Sequence, residues 1–150
     1  MVTTASITGN IAAMNIVKGN TVPYRGTTMT FIMDISGYDV GSFGFTEERA
    51  KNMGLDVTSV FYKAPKTRPA YGGKRVYIKL IADRGPLTLL GGQIISQHEI
   101  GGMINELALV FAQKIPIPDI LRIDSPYSPL VGPDPARGAM GLLLTKFDKG

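Results

Sequence analysis

The sequence has no cysteine, and only one histidine among its 150 residues. Without cysteine there are no disulfides, no thiolate nucleophiles and no cysteine-based zinc sites, which accords with a reducing cytoplasm. With His98 as the sole imidazole, no histidine pair can bind a metal and no second imidazole can assist catalysis. Charge is sparse too: 19% of residues are charged and 44% hydrophobic, a balance too apolar for a disordered chain. No uninterrupted apolar run approaches the roughly 18 residues of a membrane span, and no charged-then-apolar leader opens the chain. We expect a soluble, cytoplasmic protein with no membrane partner.

Phosphate and nucleophile motifs are also missing. Glycine is plentiful at 18 residues, yet neither G-x-G-x-x-G opening a helix nor G-x-x-x-x-G-K-[ST] occurs. Gly91-Gly92 and Gly101-Gly102 therefore lack the context of a dinucleotide or Walker-type loop. Gly101-Gly102 does precede a helix whose free N–H groups could hold an anion, but shaping the start of that helix is the simpler role. There is no G-x-S-x-G elbow. The acids are few and sit mostly at turns or helix starts, leaving no carboxylate pair for acid–base work. No catalytic, cofactor-binding or metal-binding set is expected from this chain alone.

What the chain does contain is a well-patterned α+β domain. Val76, Ile78 and Leu80 alternate with Tyr77, Lys79 and Ile81, and Leu87 to Ser96 answers them across Arg84-Gly85-Pro86, which predicts a β-hairpin. From Gly102, Met103, Leu107, Val110 and Phe111 recur at helical spacing with Ile104 and Ala108 beside them, and Pro116 stops the helix near Lys114.

Further back, Ile7, Ile11 and Met14 predict a helix over Met1 to Gly19, polar on its other face and in need of something to lie against. Thr27–Asp34 and Asp39–Phe45 read as strands, and Thr46-Glu47-Glu48 as a capped helix start closed by Gly54. Asp56–Lys63 reads as a third strand, broken from Ala64 to Gly73. Pro118-Asp119 opens a short helix. Asp134-Pro135 opens a terminal one that Gly138 and Gly141 weaken. Asp124 to Pro135 holds four prolines, too many for a central strand.

Net charge is +4, and its densest cluster is Lys63, Lys66, Arg68, Lys74 and Arg75 around the proline- and glycine-containing loop. This reads as a solvated loop, with nucleic-acid binding as the competing reading. His98 beside Glu99, at a strand-to-helix junction, reads as a hydrogen-bonding residue, and the sequence offers no partner to orient it for catalysis. Tyr71, Tyr77 and Tyr127, at proline-rich edges, read as interface or packing residues.

Four segments then carry a resemblance: Tyr77–Asp83 (YIKLIAD), Leu89–Ile95 (LLGGQII), Ile104–Leu109 (INELAL), and Asp124-Ser-Pro-Tyr-Ser-Pro129 through Asp134-Pro135. In order and spacing they resemble the C-terminal dimerisation domain of the pyridine nucleotide-disulfide oxidoreductases, in the branch of the NADH oxidases and coenzyme A-disulfide reductases. Thr4–Ile16 resembles the last helix of that family's FAD domain, and Thr46–Ala50 its threonine-glutamate helix start.

The resemblance implies an antiparallel sheet with flanking helices. It also implies a division into residues 1–22, a remnant of the FAD-domain helix, and residues 23–150, the dimerisation domain. The implied role is subunit pairing, as a homodimer, in a flavin-dependent NAD(P)H oxidoreductase. FAD and NAD(P)H would belong to a full-length parent, since the family's Rossmann fingerprints and redox cysteine are absent here.

Two alternatives stand beside it: a split NADH oxidase or disulfide reductase active with FAD and NAD domains in trans, and the basic-loop nucleic-acid binder. In family dimers this domain covers the flavin site of the other subunit. By that likeness Tyr127, Ser128 and Tyr71 would face the partner's active site. The glutathione reductase branch places a His-Pro-Thr and a glutamate there; Pro126-Tyr-Ser-Pro129 offers no such acid–base pair, leaving Tyr127 a hydrogen-bond donor.

Overall fold

A computed structural model describes residues 2–128, 132 and 134–148. Met1, and Pro129 and Pro133 of the proline-rich stretch, lie outside the described residues. In chain order the elements are α1 (Val2–Lys18), β1 (Phe31–Ile35), β2 (Tyr38–Gly44), α2 (Glu47–Asn52), β3 (Val57–Pro65), β4 (Arg75–Asp83), β5 (Leu89–Ser96), α3 (Gly101–Gln113), α4 (Ile117–Leu121) and α5 (Pro135–Phe147), with one 3-10 turn over Pro69–Tyr71.

The strands form one five-stranded sheet in the order β1-β2-β5-β4-β3, antiparallel at every step. With the helices it is the α+β architecture the patterning implies. The β4–β5 hairpin supplies its centre. Val76, Ile78 and Leu80 on β4 and Ile94 on β5 are fully buried. Helix α3 covers β2 and β5, and α5 covers β3 and β4, on that same face. Ile104, Leu107, Met140 and Leu143 reach down from the two helices and are fully buried. Each such side chain contributes about 1.5–3 kcal/mol relative to leaving it in water.

Three strand boundaries differ from the sequence reading, each for a local reason. The first strand starts at Phe31 rather than Thr27 because Met29 adopts φ +51°, which interrupts an extended chain. Its neighbours Thr28 and Thr30 join their hydroxyls at 2.6 Å. The returning strand starts at Leu89 rather than Leu87 because Leu87, at φ +51°, belongs to the turn. Strand β3 runs on through Pro65, which is tolerated because β3 is an edge strand.

Capping follows the sequence closely. The Thr46 side chain accepts from the Arg49 N–H at 3.2 Å, and Asp134 Oδ1 from the Ala136 N–H at 2.9 Å. Gly138 is needed for close approach: a Cβ there would stand 2.7 Å from the Tyr62 ring.

Cross-strand register divides the sheet into two faces. Opposite the helices, Met33, Val40, Ile95, Tyr77 and Lys63 align in one row across all five strands. Phe31, Met33, Ile35, Tyr38, Ile95 and Phe61 are exposed on this outer face. Its far end is covered by α2, where Ala50 and Ile81 are fully buried. There the Glu47 carboxylate accepts from Lys51 and Lys79, both at 2.7 Å, and from the Ser59 hydroxyl at 2.8 Å. Those contacts pull its pKa from 4.5 down to about 2, Lys51 first and Lys79 next.

Helix α1 buries none of its residues. It ends at Gly19 (φ +69°), and the Asn15 side chain clasps both the N–H and C=O of Val22 at 2.9 Å. No helix among the described residues is long and apolar enough to cross a membrane.

Candidate functional site

The surface that assembles the singled-out residues lies along α3 and the segment after α4. Helix α3 turns Ile104, Leu107, Ala108 and Val110 inward, so Gly102, Asn105, Glu106, Leu109, Ala112 and Gln113 form its exposed face at helical spacing. Most of these side chains are short or polar. Leu109, at their centre, is 60% exposed.

Beside this face a groove of about 410 Å³ opens between α3, α4 and the start of α5, lined by Glu106, Val110, Ile120, Ile123, Pro126 and Arg137. The Arg137 guanidinium donates to the carbonyls of Leu121 and Ile123, fixing the exit from α4 against α5. Glu106 shares the groove with Asp134. Removal from water, and next the Asp134 charge, push its carboxyl group above the ordinary range, with Arg137 opposing.

From the groove the chain leads through Ser125 and Pro126 to Tyr127, which is 61% exposed. Its hydroxyl accepts a hydrogen bond from Arg68 Nη2 at 3.1 Å. Arg68 immediately precedes the turn that carries Tyr71, 55% exposed. That bond therefore draws the Tyr71 and Tyr127 segments together. Ser128 is half-buried, and its carbonyl accepts from the Gly132 N–H at 2.8 Å. Gly132 in turn lies on the basic loop: its φ is +69°, and a Cβ would stand 2.7 Å from the Lys66 carbonyl oxygen. With its lone pair engaged by a guanidinium, the Tyr127 phenol keeps its own O–H to donate outward.

His98 serves the scaffold. Its Nε2 accepts from the Lys74 backbone N–H at 2.8 Å, and its own backbone N–H donates to Ser96 Oγ at 3.0 Å. Burial, then the charges of Lys66 and Lys74, push its pKa down, which keeps the imidazole a neutral acceptor. The Gly101 N–H at the start of α3 is taken by the Glu99 carboxylate. Tyr77 lies on the outer sheet face beneath the Lys63 ammonium, 5.3 Å from its ring centroid. Among the described residues, no group of three or more histidine, aspartate or glutamate side chains is placed to hold a metal.

The sequence reading picked out Tyr127, Ser128 and Tyr71 but not Arg68 as their link, nor Glu106 and Arg137. Arg68 was visible only as one member of a cationic cluster. Glu106 had a weak signal, a carboxylate between the apolar turns of α3.

Comparison with known proteins decides the family. The model of the pyridine nucleotide-disulphide oxidoreductase dimerisation domain matches residues 31–132. The chain belongs to this family.

Among relatives of this dimerisation domain, the NADH oxidase of Enterococcus faecalis is 29% identical over 132 residues, which span 86% of the chain and 29% of that enzyme. The CoA-dependent NAD(P)H sulfur oxidoreductase of Pyrococcus furiosus is 31% identical over 127 residues, or 83% of the chain and 28% of that enzyme. The chain thus spans under a third of these relatives. In fold, it superposes on the water-forming NADH oxidase of Lactobacillus brevis with a TM-score of 0.91 at 22% identity, over 99% of this chain and 34% of that one. A persulfide reductase of A. fulgidus gives 0.82 at 23% identity, over 90% and 26%.

Proposed function

We propose that this dimerisation domain pairs two copies of a flavin-dependent NAD(P)H oxidoreductase through the exposed face of α3 and the adjoining 123–128 segment. The observation that carries the reading is continuity. Leu109, the groove, Ile123 and Tyr127 follow one another along an exposed surface, and Gly102, Asn105 and Ala112, in line with Leu109 on α3, are short enough for a second helix to approach closely. A homodimer built this way places Tyr127, with Ser128 and Tyr71 beside it, at the subunit boundary, where the Tyr127 hydroxyl donates a hydrogen bond into the partner's flavin site. FAD and NAD(P)H are supplied by the remainder of a parent enzyme.

The outer sheet face, with Phe31, Met33, Ile35 and Ile95 exposed, is the surface on which we place the parent's cofactor-binding domains. In this reading residues 1–22 are the end of the FAD domain, residues 23–150 the pairing domain, and the enzyme works in the cytoplasm.

Sedimentation equilibrium of the chain tests the pairing. The expected result is a mass that rises with concentration toward twice the 16.1 kDa protomer. A strictly monomeric chain at every concentration would refute pairing by this domain itself.

A further inference from the structure

Five cations gather at one end of the β3–β4 hairpin: Lys63 and Arg75 at the strand ends, and Lys66, Arg68 and Lys74 on the loop between them. Among the described residues none of them forms an ion pair. The Lys66 ammonium is directed to the Glu99 carbonyl oxygen, Arg68 to the Tyr127 hydroxyl and Lys63 to the Tyr77 ring. The carboxylate of Glu99, whose carbonyl Lys66 meets, is engaged with the Gly101 N–H. Between Lys63 and Arg75 the loop walls a groove of about 330 Å³, whose other lining residues are Ala64, Pro65, Pro69 and Gly73.

The loop is held in shape rather than free. The Lys66 N–H donates to the Lys74 carbonyl at 3.1 Å, the Gly73 N–H to the Arg68 carbonyl at 3.3 Å, and the Lys74 N–H to His98 at 2.8 Å. Gly132 presses on it from outside, and two prolines restrict it further. Unneutralised positive charge on a fixed loop is an anion-binding arrangement. The same field reaches His98, where Lys66 and Lys74 both oppose protonation.

We propose that this groove binds a small phosphate-bearing anion. Lys63 and Arg75 line the groove itself, and Lys66, Arg68 and Lys74 lie on the loop beside it; positive charge gathered at one hairpin end instead of in a stripe along the sheet suits a di- or triphosphate group better than the extended backbone of a nucleic acid. The proposal does not depend on the pairing surface described above.

The test is titration of the chain with inorganic pyrophosphate at low ionic strength, followed by calorimetry and by the NMR signal of His98, the only imidazole in the sequence. The expected result is saturable 1:1 binding and a rise in the His98 pKa as bound anion offsets Lys66 and Lys74. The combined variant Lys63→Gln, Lys74→Gln, Arg75→Gln should weaken binding about tenfold or more, and Lys18→Gln on α1 should leave it unchanged. If the combined variant melts early, Arg75→Gln alone, at an exposed position lining the groove, gives the same readout with a smaller loss. Equal affinity in the variants would overturn the proposal. So would an equal His98 shift with chloride at matched ionic strength. A short DNA duplex that binds more tightly than pyrophosphate would overturn the small-anion assignment in favour of nucleic acid.

Discussion

Replacing Leu109 by glutamate should abolish pairing while leaving the protomer folded. Leu109 is 60% exposed at the centre of the α3 outer face. Full burial of a leucine is worth about 1.5–3 kcal/mol, so covering its exposed part contributes about 1–2 kcal/mol per subunit and about 2–4 per dimer. Leu109→Glu removes that term and places a carboxylate on each side of a closed interface, at a further cost of at least about 1 kcal/mol. The sum is about 3 kcal/mol or more, a dimer Kd raised at least about 100-fold. The protomer hardly notices, because leucine and glutamate have similar helix propensity and the position is largely open; its stability should change by no more than about 0.5 kcal/mol. Sedimentation equilibrium gives the Kd, and thermal unfolding at a dilution where only protomers are present gives the stability. Ile95→Glu, on the outer sheet face, is the matched comparison and should leave the Kd within about 0.5 kcal/mol of the parent value. If Leu109→Glu pairs as tightly as the unmodified chain, or Ile95→Glu is the variant that falls apart, the reasoning is refuted.

Three further outcomes follow from particular contacts. Glu106 has a raised pKa, so its ionised form opposes folding; the protomer should be more stable below pH 4.5 with respect to this group and lose that advantage as pH rises through the folded-state value. Glu106→Gln should therefore stabilise the chain at pH 7–8 and have no such effect near pH 4, as read by denaturant unfolding. Glu47 shows the opposite sign: with its pKa lowered to about 2, it contributes above pH 4.5 and the contribution disappears as pH falls through about 2. Because Lys51 and Lys79 are substantially exposed, Glu47→Gln should cost only about 1 kcal/mol at pH 7, and the loss should vanish in acid. Gly138→Val drives a side chain into the Tyr62 ring and should cost about 1–3 kcal/mol; Tyr62→Ala in the same chain should recover part of it, and strict additivity of the two changes would show that they do not touch.

Much of the fold was legible because its signals are local. The alternation of Val76, Ile78 and Leu80 marks the buried face of the central strand, and Thr46 and Asp134 cap the helices they precede. Local signals fail where a non-glycine residue takes positive φ, as Met29 and Leu87 do, since neither residue type advertises that conformation. The site was less legible for a different reason. Arg68 and Tyr127 are 59 residues apart, and composition gives no hint that they meet. The apolar face of α3 was legible: Met103, Ile104, Leu107, Ala108, Val110 and Phe111 all lie in or against the core, with Met103 and Phe111 at its less covered margin. How deeply each is covered follows from how the helix lies on β2 and β5, a tertiary fact.

The most direct test of the pairing surface uses the absence of cysteine, which makes any introduced thiol the only one in the chain. Asn105→Cys sits on the α3 outer face and Phe61→Cys on the outer sheet face. The rate of maleimide labelling of each, measured from dilute to concentrated protein, should fall for Asn105→Cys as dimer forms and stay constant for Phe61→Cys. A rate at Asn105→Cys that ignores concentration, or protection that appears at Phe61→Cys instead, would contradict the account.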